Sequence, residues 1–302
     1  MDIAGRQIGP EHPPLVIAEI GINHGGDLGV AKEMVRLAAG AGCEMIKHQT
    51  HFIEDEMTEE AKNIFPPNAD VSIWDVMAAC ALSPEDETEL KRYTESLGII
   101  WISTPFSRAA ADFLNDLDVP AFKIGSGEAD NLPLIRHIGR MGKPVIMSTG
   151  MQSIDTIRAS VNILDQAGID YALLECTNLY PSPPEIVSLQ GVTDLQSAFP
   201  NAVVGFSDHS IGPEMALASV ALGACILEPD RSRLALAVHR VVHLDIDGVQ
   251  ARVSRFPLDI LNRQVRPVRP RRVPLIVLAD HDELLFRPGA DACAKNKENG
   301  LS

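Results

Sequence analysis

The feature that most constrains this chain is a recurrence: eight short apolar runs, separated by helix-length polar or amphipathic stretches. In order they are Leu15 to Ile20, Met45 to Lys47, Ile99 to Ile102, Ala121 to Ile124, Val145 to Met147, Tyr171 to Leu174, Ala202 to Phe206 and Cys225 to Leu227. Short buried runs alternating with helical segments are the pattern of repeated βα units. Eight of them predict an α/β chain closed into a (β/α)8 TIM barrel, with a doubly wound parallel sheet as the alternative. A chain of 302 residues, 45% hydrophobic, carries enough apolar surface for one such domain.

A second regularity sits on top of the first. The runs close on Glu19, on Lys47 and Gln49, on Ser103 and Thr104, on Lys123 and Ser126, on Ser148, on Asn178, on Ser207 and His209, and on Glu228. One strand ending in polar residues has only reached solvent. Eight doing so in register gather donors and charges at the C-terminal face, where barrels carry their active sites.

Charge divides the chain in two. Residues 1–228 hold 13 Lys and Arg against 32 Asp and Glu, whereas residues 229–302 hold 13 against 9. The first part is the expected barrel domain. The second is an atypical tail with Arg-Pro clusters such as Arg266-Pro267-Val268-Arg269-Pro270-Arg271-Arg272, which keep neither helical nor strand period. Two readings stand for it: a basic partner-binding tail, or a stretch that has left its ancestral pattern through a reading-frame change. The net charge of -15 argues against nucleic acid and anionic membranes as partners. The opening 14 residues show no secretory h-region, and the longest apolar stretch, Met215 to Leu227, is too short to span a bilayer. A cytoplasmic protein with its five cysteines reduced is the expectation.

Lys47 and Lys123, with the hydroxyls of Ser103, Thr104, Ser126, Ser148 and Ser207, form a set suited to a phosphate and a carboxylate. Taken singly, each lysine reads equally well as snorkelling to solvent and each serine as a helix cap. His209 is a potential metal ligand or acid–base group, and equally a structural hydrogen bonder, with Asp208 beside it as a possible orienter. Glu19 and Glu128 are carboxylates near strand ends. Asn23 and His24 follow the first strand, placed either to touch a ligand or to make the turn at Gly25-Gly26.

Seven segments in order carry a resemblance. They are Ile17-Ala18-Glu19-Ile20-Gly21-Ile22-Asn23-His24, Lys47-His48-Gln49-Thr50, Ser103-Thr104-Pro105-Phe106-Ser107, Lys123-Ile124-Gly125-Ser126-Gly127-Glu128, Ser148-Thr149-Gly150-Met151, Cys176-Thr177-Asn178-Leu179-Tyr180-Pro181 and Gly205-Phe206-Ser207-Asp208-His209. From about Leu15 to Glu228 the chain resembles the N-acetylneuraminate (sialic acid) synthase family. The resemblance implies condensation of phosphoenolpyruvate with an N-acyl amino sugar such as N-acetylmannosamine, with phosphate released by C–O cleavage. It implies that Lys47, Gln49, Thr104, Lys123, Ser126, Ser148, Asn178, Tyr180 and Ser207 bind substrate, that Glu19 and Glu128 face the sugar as catalytic groups, and that His209 serves both in catalysis and as a ligand to Mn2+, with Mg2+ as the alternative ion. A homodimer is implied as well.

The chain departs from the family after Glu228, where Pro229 and Asp230 replace a basic residue and a second histidine. Asp230 is the expected substitute metal ligand, since a carboxylate suits manganese. His239 and His243 read as a chance i, i+4 pair. Arg287-Pro288-Gly289-Ala290-Asp291 lies too far along to replace the family's Arg-Pro-Gly-Pro-Asp motif, and its antifreeze-like domain is not recognisable. Other readings are a legionaminic or pseudaminic acid synthase, a non-catalytic remnant, a Schiff-base aldolase using Lys47 or Lys123, and a basic-tail scaffold.

Overall fold

The computed structural model describes residues 1–66 and 70–229. An antiparallel hairpin, β1 (Asp2–Ile3) and β2 (Arg6–Gln7), precedes eight strands: β3 (Leu15–Gly21), β4 (Met45–Thr50), β5 (Ile100–Pro105), β6 (Phe122–Ile124), β7 (Val145–Ser148), β8 (Tyr171–Cys176), β9 (Val203–Asp208) and β10 (Ile226–Pro229). They pair in parallel in sequence order, and β10 closes on β3. The closed (β/α)8 barrel replaces the doubly wound alternative. Six strands run one to three residues further toward the C-terminal face than their apolar runs, and β10 two, because ladder hydrogen bonds carry the polar ends into the sheet. The boundary expected at 228 therefore falls inside β10. The tail, Asp230, the His239/His243 pair and the Arg287 motif lie outside the described residues.

Capping chemistry sets where several helices begin. Asp27, Ser72, Ser83, Ser107, Asn131 and Ser153 each accept a backbone N–H of the first turn. None of the described helices is long and apolar enough to cross a membrane.

Alternation along each strand makes two cores. Val16, Ala18, Ile46, Trp101, Phe122, Val145, Met147, Leu173, Phe206 and Leu227 face out and pack with the helices. Leu15, Ile17, Met45, Ile102, Ala121, Ile146, Ala172, Leu174 and Ile226 face in. Ile3 and Ile8, from and beside the hairpin, join this inner cluster and seal the N-terminal end of the barrel, each no more than 1% exposed. With a period of two, the residue after the last apolar inward position points inward as well. Leu15 and Ile17 lead to Glu19, Met45 to Lys47 and Gln49, Ile102 to Thr104, Ala121 to Lys123, Ile146 to Ser148, Leu174 to Cys176, and Ile226 to Glu228.

Candidate active site

Two buried ammonium groups converge at the mouth. Lys47 on β4 pairs with Glu19 on β3, and its Nζ lies 3.3 Å from Oε1 of Glu228 on β10. Lys123 on β6 reaches the other Glu228 oxygen at 3.4 Å, an ion pair without hydrogen-bond geometry, and donates to Ser148 Oγ at 2.7 Å and to the Ile124 carbonyl at 3.2 Å. Glu228 is thus a carboxylate shared by two lysines that stand one strand apart, Lys123 facing it from across the barrel. All four charged side chains are under 10% exposed, and their formal charges balance. Burial pushes the Lys123 ammonium down from its ordinary value, while Glu228 opposes that shift.

Hydroxyls surround the pair. Thr104 Oγ1 is buried and has no hydrogen-bond partner among the described residues, an unmet polar atom at the place where a ligand would sit. Ser126 Oγ accepts the Gly150 amide at 3.0 Å. Ser207 is buried and, with Ser126, flanks the Cys176 thiol, which burial raises to about 11. Cys176 donates to Asn178 Oδ1 at 3.0 Å. Gly150 is required here, since a Cβ would stand 2.2 Å from Asn178 Oδ1 and 2.8 Å from the Cys176 carbonyl.

His209 lies just after β9. Its Nδ1 is 2.9 Å from the Thr177 carbonyl, which can only accept, so Nδ1 carries the proton and Nε2 keeps its lone pair. Burial lowers the His209 pKa, so the neutral ring is favoured. Tyr180 stacks on it at 3.9 Å between centroids. Asp208 does not orient the ring. It faces away, its Oδ1 accepting the Ser210 amide at 2.8 Å, because neighbours on a strand point to opposite sides. One neutral imidazole with a bare nitrogen suits a divalent ion, but no group of three His, Cys, Asp or Glu side chains able to hold one occurs among the described residues.

Glu128 stands apart from the lysines, on a 3-10 turn after β6, where it accepts from Asn131 Nδ2 at 2.6 Å and lines a groove with Glu56, Phe106 and Arg108. Burial raises its pKa, and Asp130 and Glu56 add to the effect. Gln49 Nε2 donates to Glu19 Oε1 at 3.2 Å. His24 is not at the mouth: it is 2% exposed, its Nε2 3.1 Å from Nε2 of His48, which points out of the barrel. The structure adds Cys176 to the site and gives the strand-end Glu228 its role between the lysines. Their signal was position: each ends an inward track.

The chain matches the NeuB family over residues 34–230. It is 40% identical over 227 residues to an uncharacterized protein of Methanocaldococcus jannaschii, covering 75% of this chain and 64% of that one. Human N-acetylneuraminate-9-phosphate synthase is 36% identical over 229 residues, 74% of this chain and 63% of the enzyme. The N,N'-diacetyllegionaminic acid synthase of Campylobacter jejuni is 33% identical over 264 residues, 84% and 76% of the two chains. Among solved structures, the N-acetylneuraminic acid synthetase of Leptospira borgpetersenii superposes with a TM-score of 0.72 at 25% identity, covering 83% of this chain and 92% of that one. The chain thus spans a little under two thirds of the length of the first two relatives.

Proposed function

The chain belongs to the NeuB family, and from that premise we propose that it condenses phosphoenolpyruvate with an N-acyl amino sugar, N-acetylmannosamine or a legionaminic or pseudaminic acid precursor, releasing phosphate. The observation that carries this reading is the convergence of Lys47 and Lys123 across Glu228, beside the unpaired Thr104 hydroxyl. Phosphoenolpyruvate brings a phosphate and a carboxylate on one small carbon frame. Two ammonium groups in a dry cleft neutralise it, and Ser126, Ser148, Ser207 and Asn178 supply directed donors. Glu228 gives one oxygen to each lysine and opposes the loss of the Lys123 proton. The site acts on the phosphate end through these groups and on the sugar end through Glu19, Gln49, Tyr180 and Glu128.

In the reaction the phosphoenolpyruvate C3 forms a bond to the sugar's aldehyde carbon, whose oxygen takes a proton. Water adds at C2, the C2–O bond to phosphate breaks with its electron pair leaving on phosphate, and the added oxygen becomes the keto group, its two protons going to the new alcohol oxygen and to the departing phosphate. Glu19 and Glu128 would move protons on the sugar side, a reading that the raised pKa of Glu128 supports. A divalent ion, manganese or magnesium, would be taken by Nε2 of His209, with Asp230 beyond the described residues as the expected second ligand, and when bound it supplies polarisation of the acceptor's carbonyl oxygen. The cytoplasm is the proposed location.

Phosphate release from phosphoenolpyruvate is the test, run with manganese and a panel of the three acceptor sugars beside a no-sugar blank. Sugar-dependent release that falls about 100-fold in Lys123→Met is expected. Equal release with and without every sugar refutes the reading.

A further inference from the structure

Behind Glu19 runs a second chain of side chains. Gln49 Nε2 donates to Glu19, Gln49 Oε1 lies 3.1 Å from Nε2 of His51, and His51 Nδ1 lies 3.0 Å from both carboxylate oxygens of Glu56. The His51 and Glu56 side chains are 2% and 4% exposed, and Phe106 stacks on the ring at 4.4 Å between centroids. Hydrogen-bond directions fix what each group carries. The Glu19 carboxylate, bonded also to Lys47, only accepts, so Gln49 must turn its NH2 toward it. Gln49 then shows its carbonyl oxygen to His51, so Nε2 carries a proton. The Glu56 carboxylate also only accepts, so Nδ1 carries one too. A neutral ring would set a lone pair against Glu56, or turn the Gln49 oxygen onto Glu19. Either arrangement leaves buried acceptors facing each other, which is costly where no water can intervene.

We propose that His51 is held as a buried imidazolium by Glu56, and that it is a positioning residue: it locks the Gln49 amide, and through it the Glu19 carboxylate, toward the acceptor sugar. Neighbouring groups agree with this charge. Glu56 faces the ring on one side and Glu19 stands beyond Gln49 on the other. His24, whose pKa burial and the adjacent His48 lower to about 4 with His51 pushing the same way, stays neutral. Glu128 lies near Glu56 across the groove. The charge state stands on the hydrogen-bond pattern alone, while its kinetic consequence rests on the condensation proposed above.

Two measurements separate these. Protein labelled with 15N at histidine is examined at neutral pH by long-range 1H–15N spectra, with His51 assigned by the signal missing in His51→Gln. Two protonated ring nitrogens on His51 are expected, one of them bare in Glu56→Gln. A wild-type His51 with one bare nitrogen overturns the proposal, whatever the activity. Sugar-dependent phosphate release then compares KM values for the two substrates. Glu56→Gln is expected to raise KM for the sugar about 3- to 10-fold, the worth of one misdirected hydrogen bond, and to leave KM for phosphoenolpyruvate within about twofold. Equal rises in both KM values remove the positioning role. Absence of any sugar-dependent release in the wild type instead sinks the condensation reading and leaves the spectroscopic result standing.

Discussion

The two ends of this barrel are built from the same eight strands and share almost no chemistry. At the N-terminal floor the inward positions are Leu15, Ile17, Met45, Ile102, Ile146 and Ile226, closed beneath by Ile3 and Ile8. Two residues further along the same tracks stand Glu19, Lys47, Thr104, Ser148 and Glu228. The floor needs only volume and apolarity, so its energy is spread over many small contacts. The mouth concentrates four charges where water is scarce, so each depends strongly on the others. Damage should therefore be sharp and pairwise at the mouth, graded and local at the floor.

Glu228→Leu should break this contrast most strongly. It leaves two buried ammonium groups to share Glu19, a loss of about 3 kcal/mol, or roughly 6–12 °C in Tm for a domain of this size. Inorganic phosphate, as a replacement anion, should restore more of the Tm in the variant than it adds to the wild type. An unchanged Tm would show that Glu228 does not hold the lysines together. Lys123→Met comes next. Removing one of the two charges proposed to bind phosphate should lower kcat/KM for phosphoenolpyruvate about 100-fold, near 2.7 kcal/mol, while the fold persists because Glu228 keeps Lys47. A loss under about threefold would move the anion site elsewhere.

The same contrast explains how far the sequence could be read. Eight apolar runs and their polar ends disclose the barrel and its working face, because strand period and helix length are local properties. Lys47, Lys123 and the hydroxyls stood out as a set, because ammonium charge with several donors at strand ends is what a phosphate and a carboxylate need. Glu228 was legible as a strand-end residue but not in its role, because its two lysine partners are set by tertiary packing. His24 was open to either reading beside Asn23; pairing with His48 across two strands buried it instead, and that pairing is set by tertiary packing. Asp208 failed as an orienter for a reason already in the sequence, its adjacency to His209. Glu56 and His51 required the loop after β4 to fold back, which no periodicity reports.

His24 sharpens the comparison through pH. Its folded pKa is about 4 against 6.5 in the unfolded chain, so the unfolded state binds the proton more tightly. The neutral ring's contribution is complete above pH 6.5 and is lost as pH falls toward 4, about 3 kcal/mol at most. Carboxylates titrate in the same range, so the measurement is the Tm difference between wild type and His24→Gln across that window. The difference should narrow toward pH 4, and a constant difference would discard the linkage.

The smallest effect should come from the floor. Ile3 is 0% exposed among Ile8, Leu15 and Ile17, and Ile3→Val removes one methylene from a packed cluster, at about 1 kcal/mol. Because the layer of Ile17, Ile146 and Leu174 separates it from the lysines, nothing in its loss should reach the anion-binding groups. Unfolding should be easier and KM for phosphoenolpyruvate unchanged. If KM moves as well, the floor and the mouth are one coupled unit, and the division between a sealing end and a working end of the same strands would have to be given up.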